Sequence, residues 1–523
     1  MSRQDTVIPA GRHWWADESR MTWSLPVCLG FQLVLFTGVA CSRLIDSDEG
    51  LYLLAVKLVA HGKRPYLDFF FQQLPALPYV YALWSRVVGF SWVSDRMLSV
   101  LLSVALGGLL YWHVERLYSR KTLACLAVLL YALNNLVIAW HPVVKTYALS
   151  NFLLFCAYLL VFPENTRHSR RKIFLGGILL AFAVETRLYI VAVAPVLMAS
   201  LYYFRCRSDG RLRNVWPFVA GLALGLLPNL FFLASAPDPY VFDNVGYHLI
   251  RSGLKAAIRN KTKTFLAISN LQGSYDGSGA QFGMLGLPAL ATLLLRGVDR
   301  RLFLPFAVGA VLFVTCFTPK PTFPQYFSVC VPYLVIVGVK FVGIMAGPHD
   351  VAGAPLRLVK TAGLVMAILY LFCGGLAVFN YCYSGAGVEG IWKWDNSFDY
   401  RLSTVREVSN TLEHLVVKDE PVLSFWPGYV VECDCVPQDG TENDFALLVS
   451  PKLTPAEAER RKIMTDEGLQ DLLKKHRVRA VVVRADRDEL ARGVSYRDTL
   501  QRNGYKRVRA IGRAEVYLWT APQ

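Results

Sequence analysis

Long apolar stretches recur along this chain, and a run of about 20 apolar residues is what an α-helix needs to cross the hydrocarbon core of a bilayer. Candidate spans lie at Trp23–Cys41, Met97–Val114, Thr122–Trp140, Thr146–Phe162, Ile173–Val184, Leu188–Phe204, Val215–Ala234, Phe282–Leu295, Leu302–Phe317, Tyr326–Met345 and Thr361–Phe379. That makes about eleven crossings. The chain is 54% hydrophobic and only 18% charged, against about 25% charged in soluble domains. Charged residues become frequent again after Asn380. The expectation is a polytopic α-helical membrane protein with a transmembrane module over residues 1–380 and a soluble α/β domain over 381–523.

Lys and Arg number 55 against 39 Asp and Glu, a net charge of +16, and the basic residues fall in alternate loops. Arg116, Arg120 and Lys121 follow the second span, and Arg167, Arg170, Arg171 and Lys172 the fourth. Arg205, Arg207, Arg211 and Arg213 follow the sixth, Arg296, Arg300 and Arg301 the eighth, and Arg357 and Lys360 precede the last. This positive-inside pattern predicts a cytoplasmic N-terminus, and an odd number of crossings puts the C-terminal domain outside. No basic stripe interleaved with aromatics stands apart from these loops, so nucleic acid is not an expected partner. The polar segment with Arg3, Arg12 and Arg20 leads into the first apolar run without a small-residue cleavage site, which predicts a retained span and not a signal peptide. The cysteines suggest no disulfide framework, and Cys433 and Cys435 are too close for a C-x-x-C metal or redox pair.

Two long loops fall on the outer face, Ser42 to Arg96 and Ser235 to Gln281. In the first, apolar segments around Leu51–Val56 and Tyr79–Trp84 predict interfacial helices anchored by Trp and Tyr among membrane lipids. The C-terminal region predicts helices at Leu402–Val416, Thr454–His476 and Tyr496–Asn503, with strands at Pro421–Phe425, Ala480–Val483 and Val516–Trp519.

Three carboxylates, Asp46, Asp48 and Glu49, stand just past the first span. One reading is a solvated helix N-cap, since acids and capping residues favour a helix start. The other is chemistry at the headgroup level: a metal site, a proton relay, or a base toward a hydroxyl acceptor. Downstream, Lys63 and Arg64 can hold a phosphate or snorkel toward headgroups. Arg187 can pair with Glu185 or serve a substrate, His141 reads as a solvated loop residue, and Tyr326 suits either an interfacial anchor or a sugar contact.

The run Asp48-Glu49-Gly50-Leu51-Tyr52, with Ala55, Gly62, Pro65-Tyr66, Asp68 and Leu74-Pro75, resembles the first outer loop of the GT-C glycosyltransferases. The resemblance is to the branch related to protein O-mannosyltransferases and lipid A aminoarabinose transferases. Arg96, Lys145-Thr146-Tyr147-Ala148-Leu149, Thr186-Arg187-Leu188 and Pro324-Gln325-Tyr326-Phe327 agree with it. It implies an inverting enzyme that takes a sugar from a polyprenyl-phosphate carrier and passes it to a lipid, glycan or protein hydroxyl. By that likeness Asp48 is the acceptor-activating base and Glu49 its neighbour. Lys63, Arg64, Lys145 and Arg187 become candidates for the donor phosphate, and Asp46, Tyr52, Tyr66, Tyr147, Gln325 and Tyr326 for substrate contacts. The chain departs from the aminoarabinose branch at Gln73-Leu74-Pro75-Ala76, where those enzymes carry Lys-Pro-Pro-Leu. It also reads Lys145-Thr146 where many relatives have an Asp. Arg251, Lys255, Arg259, Lys261 and Lys263 in the second loop suit either a lid over the donor phosphate or attraction to anionic lipids. No metal cofactor is favoured, with Mg²⁺ or Mn²⁺ on Asp46, Asp48 and Glu49 as the alternative. The expected location is a bacterial inner membrane, a topology that an endoplasmic-reticulum enzyme fits equally. The alternative from another class is a transporter or flippase of lipid-linked sugars, which predicts acids deep within spans and broken helices in matching halves.

Overall fold

The computed structural model describes residues 21–163, 169–209, 215–251, 253–269, 271, 278–294, 299–345, 354–383, 398–484 and 495–520. Arg3, Arg12, Arg20, Arg167, Arg211, Arg213 and Arg296 of the topology argument lie outside them. The helices run in order α1 (Ser24–Ser42), α2 (Ser47–Ala60), α3 (Ala76–Val88), α4 (Trp92–Tyr118), α5 (Lys121–Ala132), α6 (Asn135–Trp140), α7 (Thr146–Val161), α8 (Arg170–Thr186) and α9 (Ala194–Asp209). They continue as α10 (Trp216–Gly225), α11 (Pro228–Ser235), α12 (Pro237–Val241), α13 (Tyr247–Ile250), α14 (Leu254–Ile268), α15 (Ser278–Leu294), α16 (Phe303–Thr315), α17 (Val331–Met345) and α18 (Ala354–Tyr383).

Among the described residues, three helices are long and apolar enough to cross a membrane: α1, α4 and Pro324–Ile344. A fourth arises if α10 and α11, bent by 44°, are one span. Shorter apolar helices at Lys121–Ala132, Thr146–Val161, Leu188–Tyr203, Gly279–Leu294 and Gly363–Phe379 complete the apolar set. The expected count of eleven is therefore not matched by helix length alone, and local chemistry explains the breaks. The expected span Thr122–Trp140 divides because the Asn134 side chain accepts from the Leu136 and Val137 amides and starts α6 as a new helix. Pro228 lacks an amide hydrogen, and the chain bends where α11 begins. Lipid offers helices no hydrophobic incentive to associate, so close packing relies on small residues. At the α8–α10 contact a Cβ on Gly177 would sit 2.1 Å from the Phe218 carbonyl oxygen.

The two helices expected in the first outer loop are α2 and α3, and they differ. α3 leaves Tyr79, Leu83, Val87 and Val88 exposed, as a helix at the headgroup level would. α2 is apolar on all sides, and every residue from Glu49 to Val59 is buried, as such a helix must be. It is covered by the C-terminal domain. That domain comprises α19 (Leu402–Leu415), α20 (Asp444–Leu447), α21 (Pro455–Arg460), α22 (Asp466–Lys474), α23 (Tyr496–Arg502) and a five-stranded sheet of β1 (Pro421–Ser424), β2 (Val436–Pro437), β3 (Ala480–Arg484), β4 (Lys506–Ile511) and β5 (Ala514–Leu518). The strand order is β2-β1-β3-β5-β4. β1 runs parallel to β2 and β3, with Leu423 opposite Val481, and β5 is antiparallel to β3 and β4. The Val481-Val482-Val483 run is buried on both faces of the sheet, which explains its lack of polar alternation.

Leu53, Val56, Val422, Trp426 and Val482 share one apolar core, so α2 and the sheet pack as a unit. Two polar contacts and one close backbone approach fix the register. Lys57 of α2 is buried and donates to the carbonyls of Val430, Cys433 and Cys435, and burial pushes its ammonium down to about 8. Trp426 donates its indole N–H to the Ser47 carbonyl at 3.1 Å. Gly50 meets Gly428 so closely that a Cβ would lie 2.9 Å from the Gly428 Cα. Cys433 and Cys435 form a disulfide across one intervening residue, while the other described cysteines are free. Spacing rules for metal pairs carry no information on a bridge that merely closes a tight loop.

Gly50→Ala should therefore push the C-terminal domain off α2. Its thermal unfolding in detergent should fall by an amount corresponding to about 1–3 kcal/mol of overpacking, and an unchanged melting temperature would contradict this docking.

Candidate active site

The acidic run opens α2. Asp46 is its N-cap and accepts from the Asp48 amide at 2.9 Å and the Glu49 amide at 3.2 Å, so the capping reading holds for Asp46. The three carboxylates then part company. Glu49 is fully buried in a bidentate pair with Arg96, both contacts at 2.7 Å, and also accepts from the Val144 amide at 3.2 Å. Arg96 in turn donates to the carbonyls of Ala40 and Arg43. Asp46, 3% exposed, lies 3.0 Å from Lys145 and 3.7 Å from Arg43. Burial opposes its ionisation, but Lys145 and Arg43 outweigh it and hold the carboxyl below the ordinary carboxylate range. Asp48 shares Lys145 at 3.2 Å with its side chain 36% exposed, so it is the carboxylate of the three that an incoming group can reach.

The cations are set by α7 and the turn after α8. Lys145 is the N-cap residue of α7, 97% buried, with its ammonium 4.4 Å from the Trp140 ring. The Arg43 guanidinium lies over the same ring at 4.6 Å. Arg187 follows α8, donates to the Thr146 hydroxyl, and is enclosed by the rings of Tyr147, Tyr189 and Tyr326 at 4.5, 5.0 and 4.6 Å. Its buried Nε has no partner. Glu185 instead takes the Asn229 side chain, so of the two readings of Arg187 the pairing with Glu185 is not the one formed. Tyr52 on α2 feels Asp48, Arg187 and Lys145 together, though burial is the larger influence and raises its phenol above the usual range. Three carboxylates (Asp46, Asp48, Glu49) thus pair with three cations (Arg43, Arg96, Lys145), and Arg187, ringed by tyrosines, adds a fourth, a formal 4 − 3 = +1. In a poorly solvated site an excess positive charge favours an anion strongly.

Of the residues named from sequence, Asp46, Asp48, Glu49, Tyr52, Lys145, Tyr147, Arg187 and Tyr326 come together here. Gln325 is buried next to Tyr326. Lys63 pairs with Asp439 of the C-terminal domain at 2.8 Å, and Arg64 with Asp68 at 3.1 Å. Tyr66 donates to the Gln73 carbonyl and packs edge-on against Phe232 and Tyr240, which ties the first loop to α11 and α12. His141, expected in solvent, is fully buried and bonds Tyr131 at 3.0 Å. The second loop reaches the C-terminal domain through Arg251, whose guanidinium lies 5.0 Å from the Phe445 ring. Lys255, Arg259, Lys261 and Lys263 fall on α14, which is exposed over much of its length.

The structure superposes on the crystal structure of ArnT from Cupriavidus metallidurans bound to undecaprenyl phosphate. The TM-score is 0.67 at 13% identity, over 97% of this chain and 100% of that one. The chain has the GT-C fold. The apo form of the same GT-C protein gives 0.63 at 14% identity over the same shares. The archaeal oligosaccharyltransferase AglB from Archaeoglobus fulgidus, in complex with an inhibitory peptide and a dolichol-phosphate, gives 0.51 at 12% identity over 97% of this chain and 75% of that one. Residues 72–233 of this GT-C chain match the family model of dolichyl-phosphate-mannose-protein mannosyltransferases. No curated protein matches it in sequence.

Sequence reasoning did not assign Arg43, Trp140 or Tyr189 to the site, and it named Arg96 only as part of the family likeness. The usable signal for Arg43 and Arg96 was their position, a lone cation at each end of the first outer loop. For Tyr189 it was adjacency to Arg187. In the C-terminal domain, Glu442 is buried. Burial pushes its carboxyl up to about 8.

Two outcomes follow. Arg96→Met should leave Glu49 buried without its partner and cost about 3–5 kcal/mol, read as a large fall in melting temperature, whereas Arg96→Met with Glu49→Leu should recover part of it. The raised Glu442 carboxyl contributes stability that is present below its unfolded value near pH 4.3 and is lost as pH rises toward about 8. Glu442→Gln should melt higher than wild type at pH 8 and like it at pH 4, and equal gains at both pH values would remove this assignment.

Proposed function

We propose that this chain is an inverting glycosyltransferase that moves a sugar from a polyprenyl-phosphate carrier to a lipid, glycan or protein hydroxyl at the non-cytoplasmic membrane face. The observation that carries the reading is Asp48: an accessible carboxylate with Lys145 at 3.2 Å, beside an arginine caged by tyrosines. The ligands named for the two superposed proteins, undecaprenyl phosphate and dolichol-phosphate, are of the same carrier class.

In this mechanism Asp48 takes the proton of the acceptor hydroxyl as its oxygen attacks the anomeric carbon from the face opposite the phosphate. The bond from anomeric carbon to phosphate oxygen breaks, and the electron pair leaves with the polyprenyl phosphate. Lys145 and Arg187 neutralise that phosphate as its charge grows, which is where preorganised cations lower a barrier most. Glu49 and Asp46 act through position: Glu49 anchors the start of α2 through Arg96, and Asp46 caps α2 and holds Lys145.

Metal independence belongs to the same proposal. Mg²⁺ or Mn²⁺ needs carboxylate oxygens converging on one point, and here each carboxylate already faces a lysine or arginine. The Cys433–Cys435 disulfide supports an extracytoplasmic C-terminal domain, since such bonds persist in oxidising compartments. A bacterial inner membrane with a cytoplasmic N-terminus is the setting proposed with it.

Purified protein in nanodiscs, given radiolabelled polyprenyl-phosphate sugars and a membrane extract, should transfer label to an acceptor. Asp48→Asn should lose about 10²–10⁴ of the rate, and EDTA should leave the wild-type rate unchanged. Transport of labelled lipid-linked sugar across liposomes without consumption of donor would replace the transferase reading with the transporter one.

A further inference from the structure

The basic helix of the second outer loop has no task in the mechanism above. Three stripes run side by side along α14. Ala257, Thr264 and Ile268 face inward and are buried. Next to them Leu254, Ile258 and Phe265 form an apolar stripe that is between 45% and 68% exposed. Lys255, Arg259 and Lys263 recur every fourth residue on the following flank, and all three are exposed. The helix carries no carboxylate, and among the described residues none of these three cations makes an ion pair.

An apolar stripe flanked by unpaired cations is what a helix lying in the plane of a bilayer presents, with apolar side chains toward the acyl boundary and cations toward the phosphates above it. The helix is also held in place. The Thr264 hydroxyl donates to the Thr322 carbonyl at 3.0 Å, and the Thr322 amide donates to the Asn260 side chain at 2.6 Å. Phe265 packs 6.2 Å from Phe317. A lid must swing, whereas these contacts fasten α14 to the turn ahead of Tyr326. Of the two roles open to its basic residues, a standing contact with lipid is the one that suits this anchoring. On the proposed topology α14 lies on the non-cytoplasmic side, where clustered Lys and Arg run against the positive-inside bias, and an anionic partner accounts for them.

We propose that α14 is a docking surface for anionic phospholipid headgroups, with its apolar stripe entering the acyl boundary and Lys255, Arg259 and Lys263 binding the lipid phosphates. Anionic lipid is selected over zwitterionic lipid because three cations without a carboxylate respond to the net charge of the headgroup. The proposal does not depend on the glycosyltransferase reading.

The test is binding of fluorescent phosphatidylglycerol, phosphatidylcholine and bare polyprenyl phosphate to full-length protein in neutral detergent. Wild type is compared with the triple variant Lys255→Gln, Arg259→Gln and Lys263→Gln. The three side chains are exposed, so their neutralisation leaves the packing intact, and a matching melting temperature verifies the fold. Phosphatidylglycerol binding should weaken about a hundredfold, the product of about fivefold for each cation, with the other two ligands bound as in wild type. High salt should weaken wild-type binding of the same lipid. Unchanged affinity for phosphatidylglycerol overturns the proposal, and so does an equal loss for phosphatidylcholine, which would leave charge without a role. Loss confined to polyprenyl phosphate overturns it in favour of a lid over the donor.

Discussion

The buried pair between Glu49 and Arg96 is the constraint on which the site depends. Two charges removed from water are stabilised only when geometry and additional hydrogen bonds satisfy both groups, and this pair meets that condition. The arginine reaches the carboxylate in bidentate fashion and also takes the carbonyls of Ala40 and Arg43, while the carboxylate accepts the Val144 amide. One interaction thus ties the end of α1, the start of α2, the first turns of α4 and the approach to α7. Asp48 is the residue before Glu49, so its position is inherited from this knot and not from contacts of its own. Asp48 keeps its exposure because its neighbour takes the structural task.

The C-terminal domain belongs to the same construction. A helix as apolar as α2 cannot remain on a membrane surface with all faces wet, and the domain supplies the missing cover. Lys57 marks the seam. A lysine buried among backbone carbonyls is tolerable when each donor hydrogen has an acceptor, and Val430, Cys433 and Cys435 provide three. The disulfide closes the loop that presents two of those carbonyls. The domain is therefore wall as well as appendage to the site.

Much of this was legible in the sequence, and the part that was not has a physical reason. Apolar period and length reveal spans, and the acidic trio is conspicuous because carboxylates beside a membrane are costly without a task. The trio's division of labour was not legible, because it depends on which cation reaches each oxygen. The same gap explains Lys63 and Arg64, basic residues near the motif in sequence whose partners turn out to be Asp439 and Asp68. Arg187 shows the converse. Proximity in sequence suggested Glu185, but a guanidinium can choose planar aromatic faces, and Tyr147, Tyr189 and Tyr326 come from three separate segments. The strand β4 was also missed, since Lys506-Arg507-Val508-Arg509 carries the charge expected of an exposed edge strand and not the apolar pattern of a buried one.

The charge balance connects these observations to chemistry. With carboxylates and cations equal in number the cluster would be self-satisfied, and an incoming phosphate would have to displace an existing partner. The fourth cation changes that. Arg187 faces aromatic rings and a hydroxyl in place of a carboxylate, so its charge is stabilised by polarisable neighbours without being neutralised. Aromatic enclosure fixes the guanidinium in place and leaves its field available to an anion. Lys145, meanwhile, is shared between Asp46 and Asp48, and can lean toward a departing phosphate while Asp46 retains its hold. Under the proposed mechanism a protonated Asp48 would no longer attract Lys145, so proton transfer to the proposed base and growth of charge on the proposed phosphate leaving group would push the lysine in the same direction. Asp48 and Lys145 are coupled through one shared contact, and that coupling is a property of how α2 and α7 begin beside each other.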